Sequence, residues 1–195
     1  MDPVPADLSQ TRTALHAVAL DRVSPARAAV TGRIDLRATA GGFGTPVFDG
    51  DREVRVDGAT LVTVGRGVVD ETTLDGVSDA TARWLGRFYA LALEALTEVA
   101  RDLPREWAPS CPKIWPEHFD YAIEAGTVRA NLGLSPGDEE HEGPYAYVGP
   151  WEAVEPGPLW NATGFTGAEL PIDDLDGARD AVLSFFRERL DALHA

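Results

Sequence analysis

A chain of 195 residues, 44% hydrophobic and 25% charged, has the make-up of an ordinary globular protein that can bury a sizeable core in one domain. Its formal net charge of −15 argues against a nucleic-acid surface and against binding to anionic lipid, because both need a basic patch; the acidity serves solubility. Cys111 is the only cysteine, so an internal disulfide and a cysteine-rich zinc site are excluded. No signal pattern opens the chain, and no apolar run approaches the roughly 20 residues of a membrane helix, so the expected location is cytoplasmic.

In chain order, residues 1–6 read as a flexible, proline-containing lead. Asp7 is placed to cap a helix whose apolar positions are Leu8, Thr11, Leu15, Val18 and Ala19, with Ser24-Pro25 as its stop. His16 neighbours that stripe and reads as a packing residue, since no second ligand sits at helical spacing from it. A meander of short strands follows. Ile34, Leu36 and Ala38 alternate with charged residues, Val54 and Val56 lead to an Asp57-Gly58 turn, Leu61, Val62 and Val64 return, and Val68-Val69 open one more strand. Gly41-Gly42-Phe43-Gly44 reads as a tight turn or bulge; it lacks the phosphate-loop pattern, and no nucleotide motif occurs elsewhere.

Ser78 or Asp79 caps a long second helix with a wide apolar stripe, Trp84, Leu85, Phe88, Leu91, Ala92, Ala95, Leu96 and Val99, ended by Leu103-Pro104. Trp84 and Phe88 at this spacing read as core and not as a ligand box. Beyond a proline-rich connection, residues 119–125 alternate as a strand, Gly126-Thr127 offers a two-residue turn, and residues 128–134 alternate back. That register sets Ala125 against Val128, Glu124 against Arg129, Asp120 against Gly133 and His118 against Ser135. An aromatic strand, Tyr145 to Val148, an irregular final strand over residues 160–170, and a last helix capped by Asp174 or Asp176 complete the chain.

Residues 114–151 concentrate the candidate chemistry. His118 and Asp120, two apart on an extended chain, share a face, and the loop after Ser135 carries Asp138, Glu139, Glu140, His141 and Glu142. Imidazole and carboxylate in this mixture suit a divalent metal, with His118, Asp120, Asp138 and His141 as ligands. No paired-histidine spacing supports it, and acidic loops are usually solvated. Ser135 facing His118 sketches a nucleophile and base, although Ser-Pro-Gly is an ordinary turn. Glu117 or Asp120 is the carboxyl group that burial among Trp115, Tyr145 and Trp151 would tune for general acid or base work; His118 is the third catalytic candidate. Trp115, Tyr145, Tyr147 and Trp151, with Trp160, suit the wall of a small-molecule pocket or a protein-partner surface; the competing role is core closure beneath the loops.

The motifs Trp115-Pro116-Glu117-His118-Phe119-Asp120, Ser135-Pro136-Gly137-Asp138 and Pro144-Tyr145-Ala146-Tyr147-Val148-Gly149-Pro150-Trp151 resemble a group of uncharacterised actinobacterial proteins of about this length. The tail, Trp160 with Gly164-Phe165-Thr166-Gly167-Ala168, is similar to a broader bacterial family of unknown function. The resemblance implies no catalytic residues; it implies one domain with residues 114–151 as its characteristic feature.

The expectation is therefore an α+β fold, a single domain over residues 1–195 with a mainly antiparallel (or mixed) sheet of short strands packed against three helices. The expected function is binding of a small molecule or protein partner through residues 114–151. The alternative is a metal-assisted, hydrolase-like enzyme built on His118, Asp120 and the 138–142 loop.

Overall fold

The helical pattern that begins at Leu8 does not stop at Ser24-Pro25. In the computed structural model, which describes residues 2–194, helix α1 (Leu8–Val18) runs through a π-helical turn (Ala19–Val23) into α2 (Ser24–Thr31). Pro25 lacks an N–H, and its ring would crowd the carbonyl four residues back in an α-helix. The wider π turn, in which the Ser24 N–H reaches Ala19 O, accommodates that ring without breaking the helix. The run ends at Gly32, whose φ of 70° is the left-handed conformation of a helix C-terminus.

The architecture is α+β, with helices and antiparallel sheets. It divides into two compact units, one of Met1–Val4, Leu91–Pro112 and Tyr121–Ala195, the other of Pro5–Ala90 and Lys113–Asp120.

The second of these, unit 2, holds the N-terminal helices and the meander β1 (Arg37–Thr39), β2 (Gly42–Gly44), β3 (Glu53–Asp57), β4 (Thr60–Gly65) and β5 (Val68–Thr73), ordered as in sequence. The Gly41–Gly44 segment is a tight hairpin, as its glycines imply. Helix α3 (Asp79–Asp102) buries Trp84, Leu85, Phe88 and Tyr89, and the Trp84 and Phe88 rings stack at 5.7 Å inside the core. A Cβ at Gly86 would lie 2.7 Å from the Thr39 carbonyl oxygen and 2.8 Å from the Gly42 nitrogen, so only glycine lets the helix approach this hairpin. Strand β6 (Lys113–Trp115) pairs through Ile114 with Leu36.

The first, unit 1, holds β7 (Asp120–Ala125, from Tyr121 onward), β8 (Ala130–Ser135), β9 (Tyr145–Pro150) and β10 (Ala168–Pro171), each antiparallel to the next. Helix α4 (Ala178–His194) packs on β9 and β10 through Val182, Phe185, Phe186 and Leu190. Arg179 and Arg187 tie α4 to Glu98, and Arg187 also reaches Asp102 at 2.8 Å. Residues 2–4 lie along the 173–175 segment, where the Val4 N–H donates to Asp173 O at 3.2 Å. The Asp2 N–H donates to Asp174 Oδ1 at 2.8 Å, and Pro3 forms a bridge with Asp174. Met1 lies outside the described residues, as does Ala195.

The β7–β8 hairpin forms two residues out of the expected register. Ala125 faces Ala130 and Glu124 faces Asn131. Residues 126–129 make a four-residue loop that ends on Arg129 at φ 52°. The loop is held from outside the hairpin: the Thr127 N–H donates to Trp107 O at 3.3 Å and its hydroxyl donates to Glu106 O. A slip of two leaves every side chain on its expected face, because the strand period is two.

Candidate functional site

Cross-strand partners share a face, so the β7–β10 register sorts this sheet directly. Tyr121, Ile123, Leu132, Leu134, Ala146, Val148 and Ala168 lie on the side that is buried throughout. The opposite face carries Ala122, Gly133, Tyr147 and Glu169 in one row, and Glu124, Asn131 and Gly149 in the next. A Cβ at Gly133 would fall 2.6 Å from the Tyr147 ring, so that ring lies flat across the glycine. Phe165 meets Tyr147 edge-on at 6.2 Å, and both rings are half-buried. Nearby, Trp151 is exposed; its Nε1–H donates to Asn131 Oδ1 at 3.0 Å and the Arg129 guanidinium lies 4.8 Å above its ring.

The acidic loop is fastened to this face by His141. Its Nδ1 lies 3.0 Å from Asp138 Oδ1 and its Nε2 lies 3.0 Å from Glu169 Oε2. Both partners are carboxylates, which only accept, so both contacts are satisfied by the imidazolium form alone. Burial lowers the imidazole's pKa, but the hydrogen bonds to Asp138 and Glu169 outweigh it and hold the ring above its ordinary 6.5. Asp138 also accepts from the Tyr145 hydroxyl at 2.6 Å and from the backbone N–H groups of Glu140 and His141 at 2.8 Å each. Burial raises the Asp138 pKa, and these donors more than offset that, keeping the carboxyl below 3.8. Tyr145 packs against the His141 ring at 4.3 Å. The Asn161 side chain pairs with both backbone groups of Glu169, standing in for a strand neighbour beyond β10.

The expected residues divide accordingly. Asp138, His141 and Tyr145 come together, although as a brace and not as an open ligand set. Tyr147 and Trp151 lie on the same face. Trp160 is half-buried, and the expected strand over residues 160–170 narrows to β10, because the chain bends at residues 157–160 and 163–167. Glu169, the other arm of the brace, was concealed within that stretch; its alternation between Ala168 and Leu170 was the available signal.

His118 and Asp120 do not share a strand face. The chain turns at residues 116–119, with the Phe119 N–H donating to Trp115 O at 2.7 Å and Phe119 at φ 56°. Strand β7 therefore begins only at Asp120, and Glu117 and His118 are exposed in the turn. The Ser135 hydroxyl donates to Gly137 O at 3.1 Å and accepts from Gly137 N at 3.2 Å, closing its own turn. Trp115, in unit 2, is covered by the Lys113 ammonium 4.0 Å from its ring.

Asp120 is buried in unit 2 near Tyr89 and Arg12. Burial first, and the Asp120 charge second, push the Tyr89 phenol well above 10, against the opposing pull of Arg12. Tyr89 is thus a neutral donor, bonded to Phe119 O at 2.6 Å. Phe119 itself sits between a stacked His16 ring at 5.1 Å and the edge-on rings of Phe43 and Tyr89. His16 also contacts Pro116 O at 2.9 Å, which makes it the packing residue its spacing implied.

Among the described residues, no group of three or more histidine, cysteine, aspartate and glutamate side chains is arranged to hold a metal ion. No helix among them is long and apolar enough to cross a membrane. No family model, no curated protein and no solved structure matches the chain.

Proposed function

We propose that this chain is a binding protein, and that its working surface is the polar face of the β7–β10 sheet. The observation that carries this reading is the His141 brace. Both ring nitrogens are committed to carboxylates, so the imidazole is not a free base or ligand; its role is to hold the 138–142 loop in place. What the brace leaves accessible is a fixed surface of half-buried Tyr147 and Phe165, exposed Trp151, and the carboxylates Glu124, Glu140 and Glu142. Aromatic faces beside carboxylates attract guanidinium and ammonium groups through ring quadrupole and charge together. The fitting occupant is a protein partner that presents an arginine-rich or lysine-rich segment. The net charge of −15 would speed such an encounter, whereas the aromatic rings would give it a defined seat.

The test is calorimetric titration of the full chain with an arginine-rich peptide, repeated on Tyr147→Ala and Trp151→Ala. Binding that weakens at least about tenfold in either variant, or roughly 1.4 kcal/mol, supports a specific face. Equal binding by all three proteins, abolished together by salt, would reduce the interaction to diffuse attraction and defeat the proposal.

A further inference from the structure

A second surface, in unit 2, has a different chemistry. Two adjoining hollows of about 340 and 320 Å³ share Arg52, Thr63 and Val64 in their walls. The first reaches down to Phe48, Val54 and Leu61, which are buried core residues, so its floor is apolar. Asp21 and Arg22 reach it from the π-helical turn, a local geometry that recurs at functional sites. The second is closed by Gly65, Arg66, Val68 and Asp70 of the β4–β5 hairpin.

Three arginines and two aspartates line the hollows, a balance of one positive charge on a protein of net charge −15. The arginines are also available. Among the described residues, Arg22 and Arg66 have no side-chain hydrogen-bond or ion-pair partner, and Arg52 lies 5.2 Å over the Phe48 ring with a 3.4 Å contact to Asp49. Asp51, beside this patch, feels the Arg52 charge but turns its oxygens to the backbone and not to an arginine side chain. Its two oxygens accept from the backbone N–H groups of Arg66 and Gly67, at 3.0 and 3.2 Å. Arg66 and Gly67 both have positive φ, the geometry of a tight hairpin turn, and the Asp51 carboxylate pins that turn beside the Arg52 segment. The backbone that carries Arg66 is thereby fixed before any ligand arrives, which lowers part of the ordering cost of binding.

We propose that this groove binds a small anionic amphiphile, with an aliphatic body against Phe48, Val54 and Leu61 and a carboxylate head held by Arg52, Arg66 and Arg22. The volume of each hollow is at the low end for ligand sites and suits a short chain. Guanidinium forks match a carboxylate in two-point contact, which gives the head group its preference. This site is independent of the face proposed above for a basic partner.

The test uses the isotope-labelled full chain and three probes: octanoate, acetate and octylammonium. Octanoate should cause saturable amide shifts at residues 48–52 and 63–68. Acetate, which has the head alone, and octylammonium, which has the tail with the opposite charge, should not saturate. The exposed pair Arg22→Gln/Arg66→Gln should weaken octanoate at least about tenfold while leaving the rest of the spectrum in place. Charge reversal at the turn, Arg66→Glu, should weaken it further. Failure of octanoate to saturate, equal affinity for octylammonium, or unchanged affinity in the arginine variants would each overturn the proposal.

Discussion

Replacing His141 with alanine should loosen the 138–142 loop, and the loss should depend on pH in a defined direction. The substitution removes two charge-assisted hydrogen bonds at 3.0 Å and leaves the carboxylates of Asp138 and Glu169 without the cation between them. Such bonds contribute about 1.5–3 kcal/mol each when shielded and about 0–1 kcal/mol when exposed. The side chains of His141 and Glu169 are 20% and 18% exposed, and that of Asp138 is 38% exposed, so the Glu169 contact lies nearer the shielded case. A total of roughly 2 kcal/mol follows. Because the folded pKa of His141 is raised above 6.5, its contribution is fully present below 6.5 and is lost as pH rises through the folded value. Asp138 works in the opposite sense: its contribution is present above 3.8 and is lost as pH falls through its lowered folded value. The gap between wild type and His141→Ala should therefore be widest near about pH 6 and shrink by about pH 9. Denaturant unfolding at both pH values, with hydrogen exchange at the Glu140 and His141 amides as a local readout, measures it. His141→Gln should fall between the two proteins and show little alkaline dependence, since an amide carries no charge. A gap under about 0.5 kcal/mol near pH 6, or the same gap at both pH values, would refute the brace.

Three further outcomes follow from the same geometry. Gly86→Ala should destabilise by about 1–3 kcal/mol, although alanine favours a helix by roughly 1 kcal/mol, because its Cβ would meet backbone atoms of the β1–β2 hairpin; a variant as stable as wild type in urea would show that α3 can shift freely. Phe119→Ala should cost about 3–5 kcal/mol, since it empties the space between His16, Phe43 and Tyr89 and does not relieve the positive φ; thermal unfolding will read it. Asp51, whose carboxyl is held below 3.8 by the backbone N–H groups of Arg66 and Gly67, stabilises the turn above its ordinary pKa and releases it as pH falls through the lowered one; the Arg66 and Gly67 amide shifts should titrate together there and lose that step in Asp51→Asn.

Much of the fold was legible in the sequence because hydrophobic period is a local signal. The α3 stripe, the strand meander and the apolar face of the β7–β8 hairpin all follow from it. Features decided by distant partners were not legible. Thr127 is held by Glu106 and Trp107, which moves the hairpin register by two. Pro25 reads as a stop, yet a π turn passes it, a choice made by backbone geometry and not by side-chain pattern. The alternation of residues 118–120 suggested extended chain, but Phe119 turns with positive φ into an aromatic box of residues far away in sequence. At the candidate site, Asp138, His141 and Tyr145 stood out by composition, whereas Glu169 needed the β9–β10 register to reach them.

The most direct test of the binding surface is amide chemical-shift mapping of the full chain with an arginine-rich peptide. The expected result is a saturable set of shifts confined to Asn131, Tyr147, Trp151, Phe165 and Glu169, with the β3–β5 strands unmoved. Shifts scattered over acidic residues throughout the chain, or centred away from the β7–β10 sheet, would contradict it.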